Sequence, residues 1–243
     1  MKQKRTTLAV DLAHRDYDDV GFAFLDAGAT DVQFLQPNDL GLTNPPDAET
    51  FAAALDVFSR ENHVGALLLD GPQGWKSDDT GIEHMRLCER VLNTPGRTGP
   101  PGTTKPGTYL PFISFSIDVF HHLRTRHGWS LLTEDWGRRR RRWIVECFPT
   151  SAWKTMGLEK LPAKSKSTRK AIDANRKDLK RVTGWTIPAR PTHDQLQAAV
   201  LLPLGEILLD KQPDRLVLSG MDPIIRDDVV LEGWIANPTP QGL

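Results

Sequence analysis

The sequence predicts an α/β protein with a mixed five-stranded sheet, in which three antiparallel strands precede two parallel ones and helices cover the faces. The runs Thr6–Asp11 and Val64–Asp70 are largely apolar up to a final aspartate, which is typical of strands buried on both faces. Residues 20–25 and 32–35 form two further apolar runs separated by turn residues. A helical pattern then leads into the second aspartate-terminated strand, so a crossover can place it beside the first strand.

The helices follow from apolar residues at helical spacing. Phe51, Leu55 and Phe58 fall at i, i+4 and i+7 after a pair of prolines. Residues 80–93 are predicted as a second helix because Thr80 and Glu83 form a capping box. The exposed face of this second helix is expected to carry Arg86, Glu89 and Arg90.

The remainder of the chain is predicted as one insertion loop, three helices and further strands within a single domain, 1–243. Residues 94–111 are dense in Gly and Pro and are interpreted as a flexible insertion loop. A helix follows from Pro111, and residues 143–148 are a probable fifth strand. The basic stretch 164–182 and a stretch starting near Thr192 are helical, with Pro203 bending the latter. Residues 216–218 and 229–235 are expected to form a terminal strand pair.

Charge is distributed unevenly, although 31 Lys/Arg balance 31 Asp/Glu overall. Residues 1–79 carry 6 Lys/Arg against 14 Asp/Glu, whereas the basic segment 138–181 carries 15 against 4. The basic segment can contact the phosphates of a nucleic acid, DNA or RNA, through arginine and lysine. The alternative is a solvated surface balanced by acidic residues elsewhere. The residues expected to contact phosphate are Arg138, Arg139, Arg140, Arg141, Arg142, Lys166, Arg169, Lys170, Arg176 and Lys177.

The two aspartate-terminated strands indicate a metal site. If the strands are parallel neighbours, Asp11 and Asp70 lie close together, and two such carboxylates repel unless a proton or a cation separates them. Mg²⁺ or Mn²⁺ is the expected cation, because hard ions prefer carboxylate and water oxygens. Each aspartate alone could equally be a turn or cap residue.

Three further residues are candidates near this chemistry. Glu146 lies in an apolar strand, where an unpaired carboxylate is costly, so it is either a ligand or an edge residue facing water. Asp194 lies in the first turn of a helix, a position that the helix dipole explains without catalysis. His14 and His193 each lie within three residues of a candidate aspartate and could assist proton transfer.

Six short motifs follow one another in the chain. They are LAVDLA around Asp11, LLLDGPQG around Asp70, RLCERVL around Arg86, VECFPTSAWKTMG around Glu146, HDQLQAAV around Asp194 and EGWI at Glu232. In this order they resemble the predicted ribonuclease-H-like nucleases catalogued as domain of unknown function 429, and the β-β-β-α-β order is how that fold begins. The resemblance implies that Asp11, Asp70, Glu146 and Asp194 are catalytic, although Gln197 stands where the family often has a second helix aspartate.

Together these features predict a metal-dependent nuclease, with two ions held by Asp11, Asp70 and Asp194. One alternative is a non-catalytic nucleic-acid-binding or scaffold protein on the same fold, for which Gln197 is the best support. An actin-like or sugar-kinase-type ATPase is less favoured, because the sequence has no glycine-rich phosphate loop. No apolar stretch is long enough for a membrane span or signal peptide, so a cytoplasmic protein is expected.

Overall fold

The computed structural model describes residues 5–138 and 141–239, so Arg139 and Arg140 lie outside the described residues. The described strands are β1 Thr6–Asp11, β2 Gly21–Leu25, β3 Gln33–Leu35, β4 Val64–Asp70, β5 Arg97–Thr98, β6 Thr104–Lys105, β7 Ser130–Leu131, β8 Trp143–Cys147, β9 Leu216–Gly220, β10 Ile224–Arg226, β11 Val229–Leu231 and β12 Trp234–Pro238. The described helices are α1 Ala48–Glu61, α2 Leu87–Leu92, α3 Leu110–His127, α4 Pro149–Thr155, α5 Arg169–Thr183, α6 His193–Ala199 and α7 Leu202–Leu209.

The main sheet is mixed and has eight strands, in the order β3-β2-β1-β4-β8-β12-β9, with β7 pairing with β8 off this path. β2 pairs antiparallel with both β1 and β3, whereas β4 and β8 run parallel to β1. The predicted order of the first five strands is therefore present. The predicted count of five is wrong, because the terminal pair β9 and β12 extends the same sheet and β7 adds two residues.

The sheet register decides which side chains share a face. Asp11 lies opposite Asp70, and Asp70 lies opposite Cys147 on β8. Glu146 instead lies opposite Leu69. Because side chains alternate along a strand, Asp11 and Asp70 project from one face of the sheet and Glu146 from the other.

Each face of the sheet is covered by its own apolar core. On one face, Leu8 and Leu67 pack with α1 and α3 through side chains such as Phe51 and Leu123. On the other face, Leu68 packs with α4, α5, α6 and α7. Phe51 is fully buried, and burial of an aromatic side chain of this kind stabilises the fold by about 1.5–3 kcal/mol.

The segment predicted as a helix over 80–93 forms a helix only at Leu87–Leu92. Ser77 caps a short turn at Asp78–Thr80, and Gly81, with a φ of 65°, ends that turn in the left-handed conformation. Arg86 and Glu89 are buried, so the prediction that they lie on an exposed face is wrong. The reason is the ion-pair network described below.

Two other stretches refine the predicted elements. Residues 94–111 contain the β5–β6 hairpin and a turn at Gly107–Tyr109. The helix after Thr192 is divided into α6 and α7, and Pro203 lies in the first turn of α7, where its missing N–H breaks no helical hydrogen bond. Across the described ranges, no helix is both long enough and apolar enough to cross a membrane.

Candidate metal centre

Asp11 and Asp70 lie side by side where β1 and β4 end. Their carboxyl groups are close enough to shift each other's pKa, and we expect them to share a proton when no cation lies between them. Burial, and then the charge of Asp70, raise the pKa of Asp11 well above its usual value. Burial is also the main reason why the pKa of Asp70 rises to about 7. A cation at this position would replace the shared proton and remove the repulsion between the two carboxylates.

Asp194 reaches this pair from the first turn of α6. The side chains of Asp11, His193 and Asp194 offer oxygen and nitrogen ligand atoms that all lie within 4.8 Å of one another. Thr192 begins the helix by accepting a hydrogen bond from the Gln195 amide at 3.0 Å. Asp11 is thus the central residue, with Asp70 on one side and Asp194 on the other.

A glycine on β2 allows α6 to approach so closely. Gly21 pairs with Asp11 in the sheet, and a Cβ atom on Gly21 would lie 2.1 Å from the backbone carbonyl of Asp194. No side chain fits in that space. Because residue 21 is a glycine, α6 can pack against β2 closely enough to bring Asp194 beside Asp11.

His193 is oriented by a backbone carbonyl. Its Nε2 lies 3.0 Å from the carbonyl oxygen of Pro162, and its Nδ1 lies 3.0 Å from Asp194 Oδ1. Without a cation, an Nδ1–H donates to Asp194 Oδ1. A cation bound through Nδ1 requires the neutral tautomer in which Nε2–H donates to the Pro162 carbonyl. This is the arrangement in which a carbonyl fixes the tautomer of a metal-binding histidine.

Lys164 lies next to the carboxylates. Its Nζ is 2.5 Å from Asp194 Oδ2 and 2.8 Å from Asp19 Oδ1. Burial raises the pKa of Asp194, but hydrogen bonds from His193 and Lys164 outweigh this effect and hold that pKa below its usual value. Asp194 is therefore ionised at neutral pH, as a metal ligand must be.

Gln197 makes a specific structural contact. Its Oε1 accepts a hydrogen bond of 2.7 Å from Nε1 of Trp153, whose side chain is fully buried. Gln197 thus provides an acceptor for the indole and no negative charge.

Glu146 is not brought to the group formed by Asp11, Asp70 and Asp194. It is buried under the opposite sheet face, where Arg86 donates two hydrogen bonds to it at 2.7 and 2.6 Å. The amide of Gln73 donates a third at 2.9 Å. Burial raises the pKa of Glu146, and the Arg86 guanidinium opposes that rise. The sequence raised two possibilities for Glu146, a ligand or an exposed edge residue. Its burial on an interior strand excludes the exposed edge position, and its carboxylate is bound by Arg86.

Arg86 is the centre of a buried network that secures the segment after β4. Its Nε donates to Glu89 at 3.1 Å, and Glu89 also accepts from the Thr98 amide at 2.8 Å. Glu232 accepts from the amides of Ser77 and Leu87 at 3.0 and 2.8 Å. These carboxylates accept hydrogen bonds from backbone amides near both ends of the segment 73–87. The network therefore fixes the position of this segment, which follows Asp70.

The basic segment is divided between the two ends of the sheet. Arg141 and Arg142 directly precede β8, whereas Asp70 lies beside the last residue of β8, so these two arginines are at the opposite end of the sheet from the acidic group. Arg142 pairs with Asp56 at 2.8 Å and lies 4.5 Å from the centre of the Trp129 ring.

The basic helix α5 lies nearer to the acidic group. It packs against α6, and the turn containing Lys164 precedes it directly. Of the residues predicted to contact phosphate in and before α5, four are exposed: Lys166, Arg169, Lys170 and Lys177. Arg176 is partly buried and donates to the carbonyl of Ile187 at 3.1 Å.

No family model and no curated protein matches this sequence. Among solved structures, the chain is similar to T. thermophilus RuvC in complex with Holliday junction substrate, at 9% sequence identity and a TM-score of 0.37. The alignment covers 85% of this chain and 95% of that one.

Proposed function

We propose that the protein is a divalent-metal-dependent nuclease with a ribonuclease-H-like fold, and that Asp11, Asp70 and Asp194 are its metal ligands. The observation that carries the proposal is the convergence of three carboxylates, from β1, β4 and α6, at one edge of the sheet. In an open α/β sheet the carboxyl ends of the strands are where ligands bind.

The donor set suits Mg²⁺ or Mn²⁺. It consists of carboxylate oxygens and one imidazole nitrogen. Cys147 lies opposite Asp70 on β8, but burial raises the pKa of its thiol well above the usual value and keeps it protonated. The proton shared by Asp11 and Asp70 is what two adjacent carboxyls require when no cation lies between them. A bound ion would polarise water and stabilise the charge on the leaving oxygen.

Hydrolysis of a phosphodiester requires few protein groups beyond those that hold the ion and the backbone. A water oxygen forms a bond to phosphorus, one ester P–O bond breaks, and the leaving oxygen takes up a proton. The exposed lysines and arginines of α5 can hold neighbouring phosphates, a contact that is independent of base sequence and weakened by salt. Glu146 has no part in this proposal, because its carboxylate is bound by Arg86 on the other face.

Cleavage assays on single-stranded, duplex, hybrid and branched substrates with Mg²⁺ or Mn²⁺ test the proposal. We expect Asp70→Asn to lower the cleavage rate by at least about 100-fold. Loss of a residue that only hydrogen-bonds a metal ligand typically lowers activity by about 10–100-fold, and loss of a ligand itself should cost more. The matched control is Asp214→Asn, which changes an exposed aspartate next to β9. Equal cleavage by wild type and Asp70→Asn would show that the activity does not come from this site.

Calorimetric titration with Mn²⁺ tests the ligands separately from the reaction. The double variant Asp11→Asn, Asp70→Asn should lose Mn²⁺ binding, whereas Asp214→Asn should bind as the wild type does. Undiminished binding by the double variant would contradict the ligand assignment.

A non-catalytic nucleic-acid-binding protein is the second candidate. Gln197 favours it, because its oxygen is bound by Trp153 and it adds no charge to the site. This candidate predicts nucleic-acid binding that is unaffected by metal removal, with no cleavage under any divalent ion.

A further inference from the structure

We propose that Lys164 takes the place of a second metal ion: the site binds one divalent cation, and the Lys164 ammonium contacts the phosphate that is cleaved. This inference rests on the proposed nuclease function and specifies how the site handles charge. It replaces the two-ion arrangement that the sequence predicts.

Two oxygen atoms that α6 could offer to a second cation already accept hydrogen bonds from other side chains. Asp194 Oδ2 is bonded to Lys164 Nζ at 2.5 Å, and Gln197 Oε1 is bonded to Trp153 Nε1 at 2.7 Å. The ammonium therefore occupies the side of Asp194 where a second cation would otherwise bind. The ligand atoms of Asp11, His193 and Asp194 lie within 4.8 Å of one another, and with Asp70 beside Asp11 in the sheet they provide one ligand set.

The charges agree with one ion. The three ligand carboxylates and the Lys164 ammonium have a net charge of −2, which a single divalent cation balances. Asp19 adds a further negative charge, but 58% of its side chain is exposed, so water screens it. Two divalent ions beside Lys164 would place five positive charges against three ligand carboxylates.

Lys164 is also the group that a substrate can reach. Its side chain is 52% exposed, whereas that of Asp194 is only 10% exposed. An ammonium has three N–H donors, and Asp194 and Asp19 accept from two of them. The third can donate to a phosphate oxygen, where a fixed positive charge stabilises the negative charge that develops during hydrolysis.

The stoichiometry of Mn²⁺ binding tests the first part of the proposal. Titration of the wild type should give one Mn²⁺ per chain, and two would overturn it. Lys164→Gln should bind Mn²⁺ at least as tightly as the wild type, because it removes a positive charge beside the ligands. Weaker binding would also overturn the proposal, because it would show that Lys164 builds the ion site. Lys160→Gln, at an exposed lysine of the preceding loop, is the matched control.

Single-turnover cleavage at saturating Mn²⁺ tests the second part. Lys164→Gln should cleave about 100-fold or more slowly than wild type, as is typical when a transition-state donor is lost, and Lys164→Arg should recover part of the rate. Unchanged cleavage by Lys164→Gln would overturn the contact with phosphate. If the wild type cleaves no substrate, the nuclease proposal fails, whereas the Mn²⁺ titrations still decide whether the site takes one ion or two.

Discussion

At the scale of single residues, Gly21 is what brings Asp194 to Asp11. A methyl group at residue 21 would overlap the Asp194 carbonyl, 2.1 Å from the Cβ position, and α6 would have to move. We expect Gly21→Ala to lower the free energy of unfolding by about 1–3 kcal/mol, the usual cost of overpacking. We also expect weaker Mn²⁺ binding, because Asp194 moves with α6. Urea denaturation and calorimetry measure the two effects.

Gly107→Ala is the control for this change, because no atom lies within 4 Å of its Cβ position. It should leave both stability and Mn²⁺ affinity near the wild-type values. If Gly21→Ala behaved in the same way, the close approach of α6 to β2 would not be what positions Asp194.

The sequence predicted the acidic residues of the site better than their partners. Asp11 and Asp70 follow apolar runs, and Asp194 lies within the capping box that begins a helix. The local pattern therefore places each of them at the end of an element. Lys164 and Asp194 are 30 residues apart, and their contact depends on how the loop before α5 folds over α6. The sequence predicts a role for His193 because it adjoins Asp194. It does not predict the contact with the Pro162 carbonyl, because Pro162 is 31 residues away in the chain.

At the scale of secondary-structure elements, α2 depends on a buried charge. Arg86 is 1% exposed and pairs with both Glu89 and Glu146. Arg86→Met should lower the free energy of unfolding by about 3–5 kcal/mol, because two buried carboxylates lose their counter-ion. Arg90→Met, in the same helix but exposed, should change it by less than about 0.5 kcal/mol. Thermal and urea denaturation of the two variants provide the comparison.

Adding Glu146→Gln to Arg86→Met separates charge from packing. The double variant should be more stable than Arg86→Met alone, since one of the unpaired buried charges is gone. If the double variant were the less stable, ionic pairing would not be the main role of Arg86. The sequence missed this network because helical spacing alone placed Arg86 and Glu89 on an exposed face, and the partner residue lies 60 positions away on β8.

At the scale of the whole molecule, the part of the sheet formed by nearby segments was predictable. β1 to β4 follow each other with short connections and one crossover helix, so few arrangements are possible. β12 joins β8 after an intervening run of helices, and β7 has only two residues, so local pattern could not place either strand in the sheet. The direction of β8 also decides where Arg141 and Arg142 lie. They precede this strand, whereas Asp70 lies beside its last residue, so they are at the opposite end of the sheet from Asp70.

The shared proton of the metal site links the stability of the whole protein to pH. Asp70 has a pKa of about 7 in the folded protein against a usual value of 3.8, and the pKa of Asp11 is also raised. Between these values the folded protein binds more protons than the unfolded chain does. The free energy of unfolding of the metal-depleted protein should therefore fall as pH rises from about 4 to about 7, by up to about 1.4 kcal/mol per pH unit for each proton.

Urea denaturation in EDTA from about pH 4 to about pH 8 measures how the free energy of unfolding changes with pH. Asp70→Asn should flatten this dependence, because that change removes one titrating group and the repulsion that raises the pKa of Asp11. Asp214→Asn should keep the wild-type slope, since its carboxylate is exposed near β9. Saturating Mn²⁺ should add most stability at the upper end of the range, because a cation competes with the shared proton and binds the ionised carboxylates. An identical pH dependence for wild type and Asp70→Asn would mean that the two carboxyls do not share a proton.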